Sequence, residues 1–367
     1  MRSHRTLAIL TIVAVLSYLW ANNARVQITA PHFEEKLAAA RWMKAALDTL
    51  RAAQYARGVF PDKINDPNLT ALIGERYTLI TTDTGDLDAK ATALNPNMAA
   101  VMVEYLLEAG LKKGDVIAVG MTGSLPGMNL ALLAACETLG ITPLVITSVG
   151  SSSWGANDPN FTWIDMESRL ESAGLLHNRS FAASIGGGED VGRRLSPAGR
   201  ELIRIDIRRN GLELIEENTL EESIARRMAL FEEKAAGRPI KLYVNIGGGL
   251  ASIGHSRNTL LIPTGLNTQL PVLNYPRRGV IHRFADRGVP VLQVSNIVKI
   301  AAAFDLPRTP NPLPEPGVGS LFREVRYNLL VATLALAIVV LTLVAVLYFD
   351  RRAQRLDRPG VDPDTLI

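Results

Sequence analysis

Two unbroken apolar runs, Leu7–Trp20 and Leu329–Phe349, stand near the ends of this chain, and between them short apolar bursts alternate with polar, helix-periodic stretches. The second run holds no charge, and Thr333, Thr342 and Tyr348 are its only polar side chains. As a helix it covers roughly 30 Å of hydrocarbon, which predicts a transmembrane span. Arg351, Arg352, Arg355 and Arg358 follow it, and the positive-inside rule assigns that basic tail to the cytoplasm. Ahead of the first run lie Arg2 and Arg5, with Tyr18 and Trp20 at its far edge. Cleavage after Ala21 would put Leu19 three residues before the bond, and cleavage after Ala24 would put Asn22 there. Neither is the small residue a signal peptidase expects, so an uncleaved anchor is favoured over a signal peptide. Both termini are then expected in the cytoplasm and the intervening domain outside the inner or plasma membrane.

Between the spans, Pro31–Arg57 reads as a helix: Pro in the first turn, Glu34 and Glu35 at the positive end, an apolar stripe of Phe33, Leu37, Met43, Leu47 and Leu50, and Gly58 as the stop. A short strand is expected over Tyr77–Thr82, then a polar turn Asp83-Thr84-Gly85-Asp86, then a helix opened by Asn95-Pro96 and closed by Gly110. Beyond it the pattern alternates regularly. Strands are predicted at 116–120, 144–149 and 241–246, and helices at 127–139, 166–173, 197–209 and 220–236. Thr219 with Glu222 forms a capping box, and Ser196-Pro197 starts the preceding helix. A helix end, a glycine, a proline and an apolar strand recur at Glu137–Thr147 and Asp286–Ser295. Apolar strands separated by helices predict an α/β domain, its sheet mostly parallel and covered by helices on both faces, flanked by N- and C-terminal transmembrane helices. The expected layout is an anchor at 1–24, an extracytoplasmic domain at 25–306, a stalk at 307–320, a span at 321–350 and a basic cytoplasmic tail at 351–367. The stalk rests on the five prolines of PRTPNPLPEPGVG, which favour stiff, extended backbone.

Charge narrows the functional classes. The formal net charge is +3, but setting aside the six terminal arginines and four tail aspartates leaves 33 basic and 32 acidic residues. A nearly neutral outer domain gives nucleic-acid binding no support. Cys136, the single cysteine, sits among Leu130, Leu132, Leu133 and Leu139 and reads as a buried small hydrophobe.

In open parallel sheets, ligands bind beyond the carboxyl ends of the strands. Four such ends are rich in Gly and small polar side chains: Gly120–Ser124, Ser148–Asn157, Asn245–Ser256 and Ser295-Asn296. Glycines let backbone amides approach an anion, so carboxylate or phosphate is the ligand class these loops suit, although Gly after a strand also simply makes a tight turn. The candidate ligand-binding residues are Asp83, Thr84, Asp86, Thr122, Gly123, Ser124, Ser152, Trp154, Asn157, Gly247, Gly248 and Gly249. A P-loop and the G-x-G-x-x-G spacing are both missing, which argues against nucleotide. Ser124, His255 and a carboxylate such as Asp83, Asp158 or Asp165 supply nucleophile, base and orienting group by type, without a G-x-S-x-G elbow. Asp83-Thr84-Gly85 matches the aspartic-protease triplet, but it occurs once. His32, His177, His255 and His282 are scattered, so neither a metal site nor another cofactor is expected. Arg200, Arg204 and Arg208 recur every fourth residue, as a solvated helix face or as a cationic rail for a polyanion.

The segments TTDTGDLDAKATALNPNMAA (Thr81–Ala100), VIAVGMTGSLPGMN (Val116–Asn129), TSVGSSSWGAN (Thr147–Asn157) and NIGGGLASIGH (Asn245–His255), set between two spans, resemble the bacterial poly-γ-glutamate system protein family. The likeness covers most of the chain by layout and these segments by wording. It implies a place beside the poly-γ-glutamate synthase, with a cytoplasmic amide ligase and a small integral membrane protein as partners, and it assigns no catalytic residue. The polymer carries one carboxylate per residue, which Gly-loop amides and arginines suit. One expectation is therefore an accessory subunit that binds or guides this anionic polymer at the lipid surface. The enzymatic alternative is a γ-glutamyl hydrolase or transferase using Ser124 or the Asp83 group, and a third reading is a solute sensor on an α/β fold.

Overall fold

The structure is a computed structural model that describes residues 4–271 and 274–356. The chain divides into a globular unit, Pro31–Phe322, and a second unit made of the segments before and after it. In the second unit, helix α1 (His4–Asn23) leads into strand β1 (Arg25–Thr29).

The globular unit opens with α2 (Phe33–Ala56), whose residues Ala39, Met43, Ala46 and Leu50 are fully buried, as its apolar stripe predicts. Next come β2 (Thr81–Asp83), α3 (Leu87–Ala93) and α4 (Met98–Glu108). The strand expected from Tyr77 starts later because Thr78 and Thr81 close a turn, each amide bonding to the other residue. The turn expected after it continues into α3, capped by Asp86, whose carboxylate accepts from the amides of Asp88 and Ala89.

Alternation then follows the sequence closely: β3 (Val116–Thr122), α5 (Pro126–Leu139), β4 (Thr142–Ser148), the two-residue β5 (Ser151–Ser152), α6 (Trp163–Ser172) and β6 (Ala182–Ser184). After these lie α7 (Pro197–Arg209), β7 (Glu213–Ile215), α8 (Leu220–Ala235) and β8 (Ile240–Ile246). Short α9 (Leu250–Ile253) and α10 (Asn258–Leu261) precede β9 (Gly265–Asn267), α11 (Val280–Asp286), β10 (Val291–Val294) and α12 (Ile297–Ala303). The caps at Ser196 and Thr219 form as their sequences predict.

Seven strands make one sheet in the order β7-β6-β4-β3-β8-β10-β9, parallel throughout except for β9 at the edge. Successive residues of β3 serve two apolar clusters. Ile117, Val119 and Met121 join residues of α2, α4 and α5, whereas Val116 and Ala118 join residues of α8 and α11. In the second cluster Tyr243 stacks on Phe284 at 4.9 Å. Burial of both faces explains why these strands read as continuous apolar runs. Cys136 lies in the first cluster, and burial pushes its thiol pKa far up.

The proline-rich segment is not a free stalk; it belongs to the globular unit. Prolines leave neighbouring carbonyls without ladder partners, and two asparagines supply donors. Asn68 Nδ2 bonds the Pro310 carbonyl at 2.7 Å, while Asn97 Nδ2 reaches the Glu315 carbonyl at 3.1 Å and Asn97 Oδ1 accepts from the Gly317 amide at 3.1 Å. Beyond it, Phe322 packs edge-on against Phe33 at 6.2 Å. The domain thus runs to Phe322, past the expected end at 306.

In the other unit, β11 (Arg323–Tyr327) pairs antiparallel with β1, and α13 (Leu329–Leu356) packs against α1. Both helices are long and apolar enough to cross a membrane. Arg2 and the tail from residue 357, including Arg358, lie outside the described residues.

Candidate functional site

The carboxyl ends of β3, β4, β6, β8 and β10 open onto one cleft of about 1100 Å³. All four glycine-rich loops reach it, through Thr122 and Ser124, through Ser148 and Ser152, through Gly247–Gly249, and through Ser295 and Asn296. Strand order explains the convergence. From β3 the chain moves outward through β4, β6 and β7 and then returns to β8 on the other side of β3, so the loops after β3 and β8 flank the point of reversal. Gly247 must be glycine there: its φ is +91°, and a Cβ would lie 2.5 Å from Thr122 Oγ1.

Cations outnumber acids around the cleft. Lys90, Arg193, Arg194, Arg277, Lys299 and Arg308 line it, against Asp83, Asp86 and Glu189. Arg277 is held by Glu189 at 3.0 Å and by Glu221 at 3.0 Å, and Arg308 pairs with Asp88. Among the described residues, Arg193, Arg194 and Lys299 have no carboxylate partner. On the expected α7 rail, two of the three arginines are paired with acids and the third is held by main-chain carbonyls. Arg204 pairs with Glu216 at 2.5 Å and Glu201 at 3.2 Å, and Arg208 shares Glu201 at 2.8 Å. Arg200 donates to the Leu195 carbonyl at 2.8 Å. The arginine surplus available to an anion therefore sits in the loop before α7.

Most of the candidate residues converge. Asp83, Thr84, Asp86, Thr122, Ser124, Ser152, His255 and Gly247–Gly249 all line the cleft. Gly123, Trp154 and Asn157 do not, and their surroundings give them structural work. A Cβ on Gly123 would strike the Val149 carbonyl at 2.5 Å. Trp154 sits at φ +67° with its amide on the Glu75 carbonyl, and buried Asn157 ties both main-chain groups of Glu75 to Thr81. No hydrogen bond joins Ser124, His255 and Asp83 among the described residues. His255 Nδ1 accepts from the Arg257 amide at 3.1 Å, and the Asp83 carboxylate accepts from the Thr84 amide at 2.8 Å. Among the described residues no group of three or more His, Cys, Asp or Glu is placed to hold a metal ion.

Sequence reasoning missed Lys90. It projects from α3 into the wall of the cleft with 4% of its surface exposed. Its Nζ donates to Ser152 Oγ at 2.8 Å and to the Ser124 carbonyl. Burial pushes the ammonium down to about 7, against the opposing pull of Asp86. Beneath the cleft floor lies a buried ion pair, Arg227 with Asp190 at 3.0 Å. Ser148, Ser184 and Ser223 each donate a hydroxyl to that carboxylate.

No family model matches this chain, and neither a curated protein nor a solved structure does.

Proposed function

We propose that this chain is a membrane-tethered accessory component of poly-γ-glutamate synthesis or export, whose extracytoplasmic cleft binds or guides the anionic polymer. The observation that carries this reading is a single cleft combining glycine-lined strand ends with Arg193, Arg194 and Lys299, which have no carboxylate partner among the described residues. A chain with one carboxylate per residue suits such a surface, because each side-chain cation can take one charge while the glycine loops admit the backbone closely. Segments that carry the family resemblance, at Thr81–Ala100, Val116–Asn129, Thr147–Asn157 and Asn245–His255, all contribute to this cleft. Lipid around α1 and α13 provides the tether, and the synthase ligase and its small membrane partner are the proposed neighbours.

Titrating the protein with γ-linked glutamate oligomers tests the binding reading. The wild type should bind them with an affinity that falls steeply as salt rises, and the Arg193→Ala/Arg194→Ala double variant should bind at least about tenfold more weakly, the loss of one charge-assisted contact or more. Equal binding of oligomers with their free carboxylates esterified would overturn it.

A further inference from the structure

We propose that Ser152 and Lys90 are a nucleophile and its general base, making the cleft a site of acyl transfer at amide carbonyls. The identity of the amide, a γ-glutamyl linkage, rests on the polymer-binding reading; the chemistry of the pair does not.

Three features set Ser152 apart from its neighbours. Ser151 and Ser153 on either side turn their hydroxyls to main-chain carbonyls, of Gly123 at 3.1 Å and Asp83 at 3.4 Å, while Ser152 faces the cleft. Its backbone is fixed at both ends, the amide on Ser124 Oγ at 3.0 Å and the carbonyl taking the Ser151 hydroxyl at 2.9 Å and the Gly155 amide at 3.1 Å. Gly85 lies against the same segment, where a Cβ would strike the Ser153 carbonyl and come within 3.1 Å of Ser152 Oγ.

The chain contains its own control for Lys90. Lys36 is the other lysine among the buried polar residues, and it carries a carboxylate partner, Glu104. Lys90 has no carboxylate within ion-pair distance among the described residues. Its two partners are the Ser124 carbonyl and the Ser152 hydroxyl, and burial without a counter-ion favours the neutral amine, whose lone pair can turn to that hydroxyl. A neutral amine 2.8 Å from a hydroxyl can take its proton.

The steps balance as follows. Ser152 Oγ attacks the amide carbon while its proton passes to the lone pair of Lys90 Nζ, and the carbonyl π electrons move onto oxygen. On collapse the C–N bond breaks, the departing amine takes the proton from the Lys90 ammonium, and an ester remains on Ser152. Water then gives a proton to Lys90 as its oxygen attacks the ester, and Ser152 Oγ leaves with that proton. An amine in place of water gives transfer instead of hydrolysis.

The full chain in detergent, treated with a fluorophosphonate probe, provides the test. The expected result is one covalent adduct, mapped to Ser152 by peptide mass spectrometry. It should fall at least about tenfold in Lys90→Met and in Lys90→Arg, which keeps a cation but no base at neutral pH. A wild-type protein that binds γ-glutamate oligomers yet gives no adduct at Ser152 would overturn the acyl-transfer proposal and leave the binding reading intact. Labelling undiminished in a folded Lys90→Arg variant would overturn it equally. Labelling at Ser152 without oligomer binding would support the pair and sink the polymer instead.

Discussion

At the scale of single residues, the structure is governed by where charge is buried and what answers it. Asp190 sits in a loop after β6 where Gly186, Gly187, Glu189, Asp190 and Gly192 all have positive φ, a conformation that costs energy for the non-glycine members. That loop is held by the carboxylate itself, which accepts from three serines and Arg227. Removing the arginine strands a buried charge. Arg227→Met should therefore lower stability by about 3–5 kcal/mol, read as a shift in the urea midpoint, whereas Ser223→Ala should cost only about 1 kcal/mol. Equal effects would mean that the serines, and not the guanidinium, neutralise the site. None of this was visible in sequence, where Arg227 and Asp190 are ordinary members of a polar helix and a glycine-rich loop.

At the scale of elements, the long helices and the central strands were legible because burial of one stripe or of both faces leaves a period in the sequence. The residues of α2, β3, α5, α7, α8 and β8 follow it closely. Short elements were not legible. Helix α3 has only seven residues, LDAKATA, with its Asp and Lys in a stretch that reads as a turn, and it forms because Asp86 caps it. The proline-rich strap reads as a stalk in sequence for the complementary reason: its docking depends on Asn68 and Asn97, which lie far away in sequence. Asn97→Ala removes two donors to the strap and one acceptor from it. This variant should raise amide exchange at Gly317 and speed tryptic cleavage at Arg308 by an order of magnitude or so, with the core strands still protected. Unchanged exchange at Gly317 would show that packing alone holds the strap.

At the scale of the whole molecule, the two units differ in how much apolar surface they leave exposed. The apolar faces of α1 and α13 are largely exposed, Leu16 at 60% and Leu341 at 67%, whereas the sheet of the globular unit is enclosed. Both helices are long and apolar enough to cross a bilayer, which would cover such a surface. β1 and β11 pair directly next to the helices, so both helices leave the same small ribbon; the proposed topology puts both termini on the cytoplasmic side. In right-side-out vesicles, added protease should digest the stretch between the helices and spare epitope tags at either terminus. Loss of both tags with an intact domain would invert the proposed orientation.

The sequence by itself determined the two apolar ends, the alternation of helix and strand, and the small polar composition of the strand-end loops, since each is a property of neighbouring residues. Tertiary structure alone decided that four loops form one cleft, that Arg204 and Arg208 of α7 are spent on acids, and that Lys90 is buried against a serine 62 positions away. Period and propensity act over a few residues and leave their trace in the local pattern. Burial and charge pairing depend on which distant segments the strand order brings together.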